Sequence, residues 1–301
     1  EAFVRLFDDL HGRDSDALWR RRTARAVDKA IGPPFLERRL EARPYVEKGP
    51  KGQRARVPLT SSPRYLRTMS QPISSIGVFI TPVPPLQQNC TTVWCTRTNK
   101  AAVIDPGGST DAILAEIVRR GLTLDAIWIT HGHLDHAGGA ADLQEKTGVD
   151  IIGPHAEDQF WIDLIPTQGQ KYGLPEARSF TPTRFLVEGE TLTLGETSWE
   201  IFHCPGHTPG HVIFFNREAR FAQVGDVLFQ GSIGRTDFPR SDHAALLHAI
   251  TTKLWPLGDD VTFVPGHGPH STFGAERRTN PYVSDQAMAR TPIARPAAGP
   301  S

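Results

Sequence analysis

Apolar and polar positions change period along the chain. Short runs rich in β-branched and aromatic residues occur at Gly77–Pro82, Thr91–Cys95 and Ala101–Ile104. Bounded by Pro, Asn and Lys, runs of this length predict strands. Further strand-like runs follow at Ala126–Thr130, Ile151–Ile152, Thr191–Leu194, Trp199–His203, Val212–Phe215 and Val261–Val264. Between them, apolar positions recur every three to four residues at Asp111–Arg120, Gly138–Thr147 and Asp242–Leu254, which predicts helices. Asp242 stands where a helix N-cap is expected. A hairpin-like start followed by strand and helix alternation predicts sheets covered by helices, in an α/β or α+β layered domain.

The first 68 residues do not share this pattern. A helical stretch, Ala17 to Ala42, is broken at Gly32-Pro33-Pro34 and leads into a Pro/Gly/Lys/Arg-rich run from Pro44 to Pro63. Residues 1–68 hold 16 Lys+Arg against 9 Asp+Glu, and the remainder holds 17 against 24. The zero net charge therefore divides into +7 and −7, which marks two regions of different character. The run from Met69, "MSQPISSIGVFITPV", reads like a natural start. Residues 1–68 are thus expected to be a basic extension, a fusion or read-in, followed by a catalytic domain over 69–290 and a disordered tail over 291–301. The alternative for the extension is a small module touching nucleic acid or a partner through Arg20-Arg21-Arg22 and Lys48 to Arg56.

Composition narrows the class. With 39% hydrophobic residues in 301, the chain has the material for a substantial core, which excludes a disordered or collagen-like protein. No stretch approaches the roughly 18 apolar residues of a membrane span. Three cysteines (Cys90, Cys95 and Cys204) lack any CxxC spacing, which argues against a disulfide framework. The expectation is a soluble cytoplasmic protein.

The chemistry concentrates in Thr130-His131-Gly132-His133-Leu134-Asp135-His136, directly after a predicted strand. His131 and His133, two apart, project to one side of extended chain. Asp135 and His136 follow the turn and can face a second point. Three distant residues at strand ends complete the set: His207 in "HCPGHTPGH", Asp226 in "VGDVLF" and His267 in "VPGHGP". Seven imidazole and carboxylate ligands suit two sites sharing one carboxylate, holding zinc, iron or manganese. The absence of thiolate points to open hydrolytic sites over a closed structural zinc site.

These residues, with "QNCTTVWC", "AAVIDPGG", "IGPHAEDQFW", "GDVLFQGSIGRTDFPRSD" and "NPYV", give residues 77–288 a resemblance to the metallo-β-lactamase superfamily. Within it the chain resembles the hydroxyacylglutathione hydrolases (glyoxalase II), in the short bacterial form without a C-terminal helical domain. The resemblance implies an αββα four-layer sandwich. It implies one metal on His131, His133 and His207, a second on Asp135, His136 and His267, and Asp226 between them. The cofactors are then two divalent cations, zinc first, with iron or manganese as alternatives. The implied reaction is attack of a metal-bound hydroxide on a thioester of the S-lactoylglutathione type, releasing a thiolate that needs no strong general acid.

Other residues are assigned by default. Cys204 is expected to be a packed residue and not a nucleophile. His203 and His211 are expected to support the metal loop, and His11, His155, His243, His248 and His270 to lie at the surface or cap helices. Asp105 is read as a turn residue of Asp-Pro-Gly-Gly in preference to an orienting partner of a histidine.

For substrate, Arg235 in "GSIGRTDF" matches a basic position that holds a glutathione carboxylate in the larger relatives. Two departures weaken that match. Asp237 and Pro269 stand where those enzymes place tyrosines, and Arg277-Arg278 only partly replaces the cations of their helical domain. The expected partner is a small glutathione-linked thioester, with no membrane or nucleic acid; the sequence leaves the oligomeric state open. The alternatives are a persulfide dioxygenase with one non-haem iron, or a promiscuous β-lactam and ester hydrolase on the same fold.

Overall fold

The computed structural model describes residues 74–290. The readings for residues 1–68, including the helical stretch at Ala17 to Ala42 and His11, and for 291–301 lie outside them.

The described chain builds two sheets in sequence. The first holds β1 (Ile76–Val83), β2 (Gln88–Cys95), β3 (Lys100–Ile104), β4 (Thr123–Trp128) and β5 (Asp150–Ile152), side by side in that order. β1, β2 and β3 run antiparallel, whereas β3, β4 and β5 are parallel. Parallel neighbours need crossovers. The first is the helix α1 (Thr110–Arg119); the second contains α2 (Leu134–Ala137) and α3 (Ala140–Thr147). After β5 comes α4 (Gln159–Tyr172).

The second sheet takes β6 (Thr191–Leu194), β7 (Thr197–His203), β8 (Val212–Asn216) and β9 (Phe221–Gly225) as an antiparallel meander. A two-stranded ribbon, β10 (Leu228–Phe229) and β11 (Ser232–Ile233), precedes α5 (His243–Ala249), whose N-cap Asp242 accepts from the Ala245 amide at 2.9 Å. β12 (Thr262–Pro265) then returns parallel to β9, and β13 (Ser271–Thr272) edges the sheet. The short helices α6 (Phe273–Thr279) and α7 (Asp285–Arg290) end the described residues.

Three buried clusters demonstrate the layering. One sits between the sheets, where Ile104 and Trp128 meet Leu194, Trp199, Ile201 and Phe214. Trp128 stacks on Phe214 and meets Trp199 edge-on, with centroids 5.1 and 5.5 Å apart. A second joins the outer face of the first sheet to α1, α2, α3 and α4 through Val103, Ile127, Ile113, Leu143 and Ile162. The third joins the outer face of the second sheet to α5 and α6 through Phe215, Val224, Leu246 and Phe273. Helices, sheet, sheet and helices therefore form the expected αββα sandwich.

Several elements depart from the sequence reading. The strand expected at Ala126–Thr130 ends at Trp128, leaving Ile129 and Thr130 to turn toward the histidines. The helix expected over Gly138–Thr147 begins at Ala140, because Gly138 and Gly139 separate it from the single turn α2. The helix expected over Asp242–Leu254 changes to a π turn at Ile250.

Candidate metal centre

Every ligand-type residue singled out in the sequence arrives at one edge of the sandwich. The route is similar for each: a strand ends, and the segment after it carries the side chain. His131 and His133 follow β4, and Asp135 and His136 stand on the single turn of α2. His207 lies between β7 and β8, Asp226 directly after β9, and His267 two residues after β12.

Two groups of three result. His131 Nε2 and His207 Nε2 each lie 3.1 Å from His133 Nδ1. Ligands at about 2.0–2.1 Å on a tetrahedral ion are separated by about 3.3 Å, so this triangle has the dimensions of a metal face. In the second group, His267 Nε2 is 3.0 Å and His136 Nε2 3.7 Å from Asp135 Oδ2. Asp226 faces both groups: Oδ1 is 3.3 Å from His136 Nε2, and Oδ2 is 3.6 Å from His207 and 4.0 Å from His267.

The electrostatics suit a cation. Burial, reinforced by the neighbouring imidazoles, pushes His131 and His133 well below the usual histidine range, so their lone pairs are available. For His136 burial acts the same way, but Asp226 and Asp135 outweigh it and raise the imidazole. Despite its burial, Asp135 is held below the usual carboxylate range by His136 and His267. Imidazole nitrogens and carboxylate oxygens converging within one buried site are a donor set that fits a divalent metal.

Outer partners orient three of the imidazoles, those of His136, His131 and His207. Asp105 corrects the sequence reading. It sits in a turn at φ +55°, but its buried carboxylate accepts from the Thr130 amide at 2.7 Å and the Thr130 hydroxyl at 2.6 Å, and meets His136 Nδ1 at 2.9 Å. It therefore orients His136 directly, and Thr130 passes the contact on to His131 Nδ1 at 3.0 Å. His207 Nδ1 meets the Arg235 carbonyl at 2.8 Å. His211 is a supporting residue as expected: Nε2 accepts the Asp226 amide at 3.0 Å and its ring stacks on His131. Asn89 ties the first sheet to the His267 loop, donating to the carbonyls of Pro265 and Gly268 at 3.0 and 2.9 Å.

Sequence reasoning missed Asp158. It is fully buried and accepts from the Gly132 amide at 2.8 Å, the Thr208 hydroxyl at 2.7 Å and the Gly210 amide at 2.6 Å. Burial raises its carboxyl to about 6 in spite of those donors. Its one sequence signal is its place in "IGPHAEDQFW", just before α4. Close approach also decides Gly266, where a Cβ would run into Asp226 Oδ1 and the His136 ring.

Other predicted residues fall beside the centre. The Arg235 guanidinium is bidentate to Asp237, at 2.9 and 2.6 Å, and lies over the Phe238 ring. Cys204 is fully buried and its thiol is pushed up to about 12, which fits a packed residue. His155 accepts the Glu157 amide as a cap, and His203 Nε2 meets the Pro209 carbonyl at 2.7 Å. With Glu157 these two form another His/Glu group, but their rings stack at 4.3 Å and 20°. Lone pairs in two nearly parallel planes do not converge on one ion.

A family model described as the metallo-beta-lactamase superfamily matches residues 83–267. The chain belongs to that superfamily. Its relatives include hydroxyacylglutathione hydrolase GloC of Haemophilus influenzae, 46% identical over 213 residues, covering 70% of this chain and all of that protein. A probable metallo-hydrolase, YqgX of Bacillus subtilis, is 33% identical over 67% of this chain and 95% of its own length. Among solved structures, BLEG-1 B3 metallo-beta-lactamase has a TM-score of 0.64 at 32% identity, covering 69% of this chain and 99% of that one. TTHA1623, solved in a di-iron-bound form, has a TM-score of 0.62 at 35% identity, covering 68% and 99%. The metallo-beta-lactamase superfamily member described here is thus a metal-dependent hydrolase resembling the hydroxyacylglutathione hydrolases. Among the described residues no helix is long and apolar enough to cross a membrane.

Proposed function

We propose that this chain is a dinuclear metallohydrolase that cleaves thioesters of the hydroxyacylglutathione type. The observation that carries the reading is the position of Asp226, with one oxygen toward His136 and the other toward His207 and His267. His131, His133 and His207 would hold one cation, and Asp135, His136 and His267 the other, with Asp226 shared. Bound there, divalent cations supply Lewis acidity and make water acidic enough to act as a nucleophile near neutral pH. The thioester class draws on the similarity to the Haemophilus influenzae hydrolase. Zinc and iron both suit the donor set, and the similar TTHA1623, solved in a di-iron-bound form, supports iron.

The protein's own residues orient the ligands. Asp105, Thr130 and the Arg235 carbonyl position the imidazoles of His136, His131 and His207, while Trp161 and Phe238 pack edge-on against the His133 ring. The departing thiol, with a pKa near 8.5, leaves as thiolate without a strong general acid. All three cysteines are free, which supports a reducing compartment such as the cytoplasm.

The test is hydrolysis of S-lactoylglutathione by the purified protein with its metals quantified. Turnover that a chelator abolishes, with two metals per chain, is the expected result. A fully loaded protein that leaves the thioester intact would overturn the substrate reading, and one iron with oxygen consumption would replace it by a dioxygenase.

A further inference from the structure

A cavity of about 310 Å³ opens from the metal centre, with His133 and Asp135 at its inner end. That volume stands at the lower limit for pockets that enclose a whole small ligand, about 300 Å³, and exceeds what a three-carbon lactoyl group requires. Its walls are mainly apolar: Pro84 and Pro85 of the β1–β2 loop, Trp161 and Tyr172 of α4, and Phe238 line it, with Gln88, Thr167 and Gln168 as polar members. Trp161 touches the His133 ring at 4.5 Å, and ten residues of helix carry the wall about 15 Å outward to Lys171. Lys171 also lines the cavity; its ammonium is 4.9 Å from the Tyr172 ring centroid, and among the described residues no ion pair to a carboxylate engages it.

The cavity thus has a reacting end, an apolar body and one available cation at its outer end. The glutathione half of a thioester, with two carboxylates and two amides, gains little from walls that are mainly apolar. The acyl half gains from them in proportion to its length. We propose that this arm is an acyl subsite for thioesters whose acyl group is a medium-length apolar chain ending in an anion, with Lys171 holding the anion. The inference rests on the hydrolase reading above. The reaction is the same hydrolysis: water's oxygen joins the acyl carbon, the carbon–sulfur bond breaks, and the thiolate sulfur keeps the electron pair and takes up a proton.

The experiment compares kcat/KM for the acetyl, hexanoyl and adipoyl thioesters of glutathione, beside S-lactoylglutathione. Each methylene that enters the arm is expected to raise kcat/KM by up to about fourfold. In the wild type, adipoyl matches or exceeds hexanoyl in spite of its charge. In Lys171→Met the adipoyl-to-hexanoyl ratio falls about fivefold, as for an exposed ion pair, and in Lys171→Glu it falls further while a 6-aminohexanoyl thioester improves. If lactoylglutathione turns over but chain length and terminal charge have no effect, the subsite is wrong and the hydrolase reading stands. If no thioester turns over, the hydrolase reading is lost, and binding decides the arm. Adipate that quenches fluorescence in the wild type, less in Lys171→Met and not in Trp161→Phe, keeps an apolar-anion site there, whereas no quenching removes it.

Discussion

The Asp158 carboxylate accepts the amide of Gly132, 26 residues away, at 2.8 Å. Gly132 lies between His131 and His133, and the same carboxylate holds Thr208 and Gly210 immediately after His207. One buried side chain therefore sets the distance between the two loops that bring the three histidines together.

Asp158→Asn retains the shape but presents an amide donor to groups that are all donors. Metal affinity at the three-histidine group is expected to fall about 10- to 100-fold, the range for losing an outer partner of a metal ligand. Competition against a chromophoric chelator measures it. Unchanged affinity would show that the loops hold their spacing without Asp158. Asp158→Ala is expected to cost the fold about 1–3 kcal/mol for each buried donor left alone, read by denaturant unfolding.

Asp105→Asn removes the carboxylate from His136 Nδ1. Because His136 belongs to the group with Asp135 and His267, metal content is expected to drop toward one per chain, with the ion nearer His131 retained longer. Elemental analysis after graded dialysis distinguishes this from loss of both together, which would assign Asp105 a general structural role.

Cys204 gives a pH signature independent of metal. Its thiol titrates near 8.5 when unfolded and is pushed up to about 12 in the fold by burial. Burial favours the neutral thiol, so this contribution to stability is complete below about pH 8.5 and is lost as the pH rises toward 12. The native protein is expected to resist alkylation at Cys204 at pH 8, as mapped by mass spectrometry, and to become labelled on unfolding. Labelling of the native chain at a free-thiol rate would contradict the packing.

Asp237 competes for the guanidinium expected to meet a substrate carboxylate. With Asp237 largely exposed, the pair is weak, and Asp237→Ala should lower KM for a glutathione thioester about threefold, with Arg235→Ala raising it. Steady-state kinetics in which neither variant moves KM would leave Arg235 with only its backbone role toward His207.

The centre was legible because its chemistry is local in sequence. Four of the candidate ligands lie within six residues, and the other three stand at strand ends with turn residues beside them. Asp105 was misread for the opposite reason. Asp-Pro-Gly-Gly is a complete local turn signal, while the imidazole it serves lies 31 residues on and is brought close only by the sheet. Asp158 likewise works through partners 26, 50 and 52 residues away. Helix α4 escaped notice because Pro166 and Gly169 interrupt a pattern whose buried positions, Trp161, Ile162 and Ile165, are otherwise helical. Strand β9 is buried at all five positions and so lacks the alternation that marks a half-exposed strand.

Each group of ligands takes members from both sheets: His131 and His133 with His207, and Asp135 and His136 with His267. A cation in either group is then a rivet through the seam of the sandwich, and sliding one sheet by an ångström costs coordination as well as packing. Whatever free energy binds a cation there also holds the halves in register. Metal supply in the cell would thus govern how long this protein survives, in addition to how fast it works.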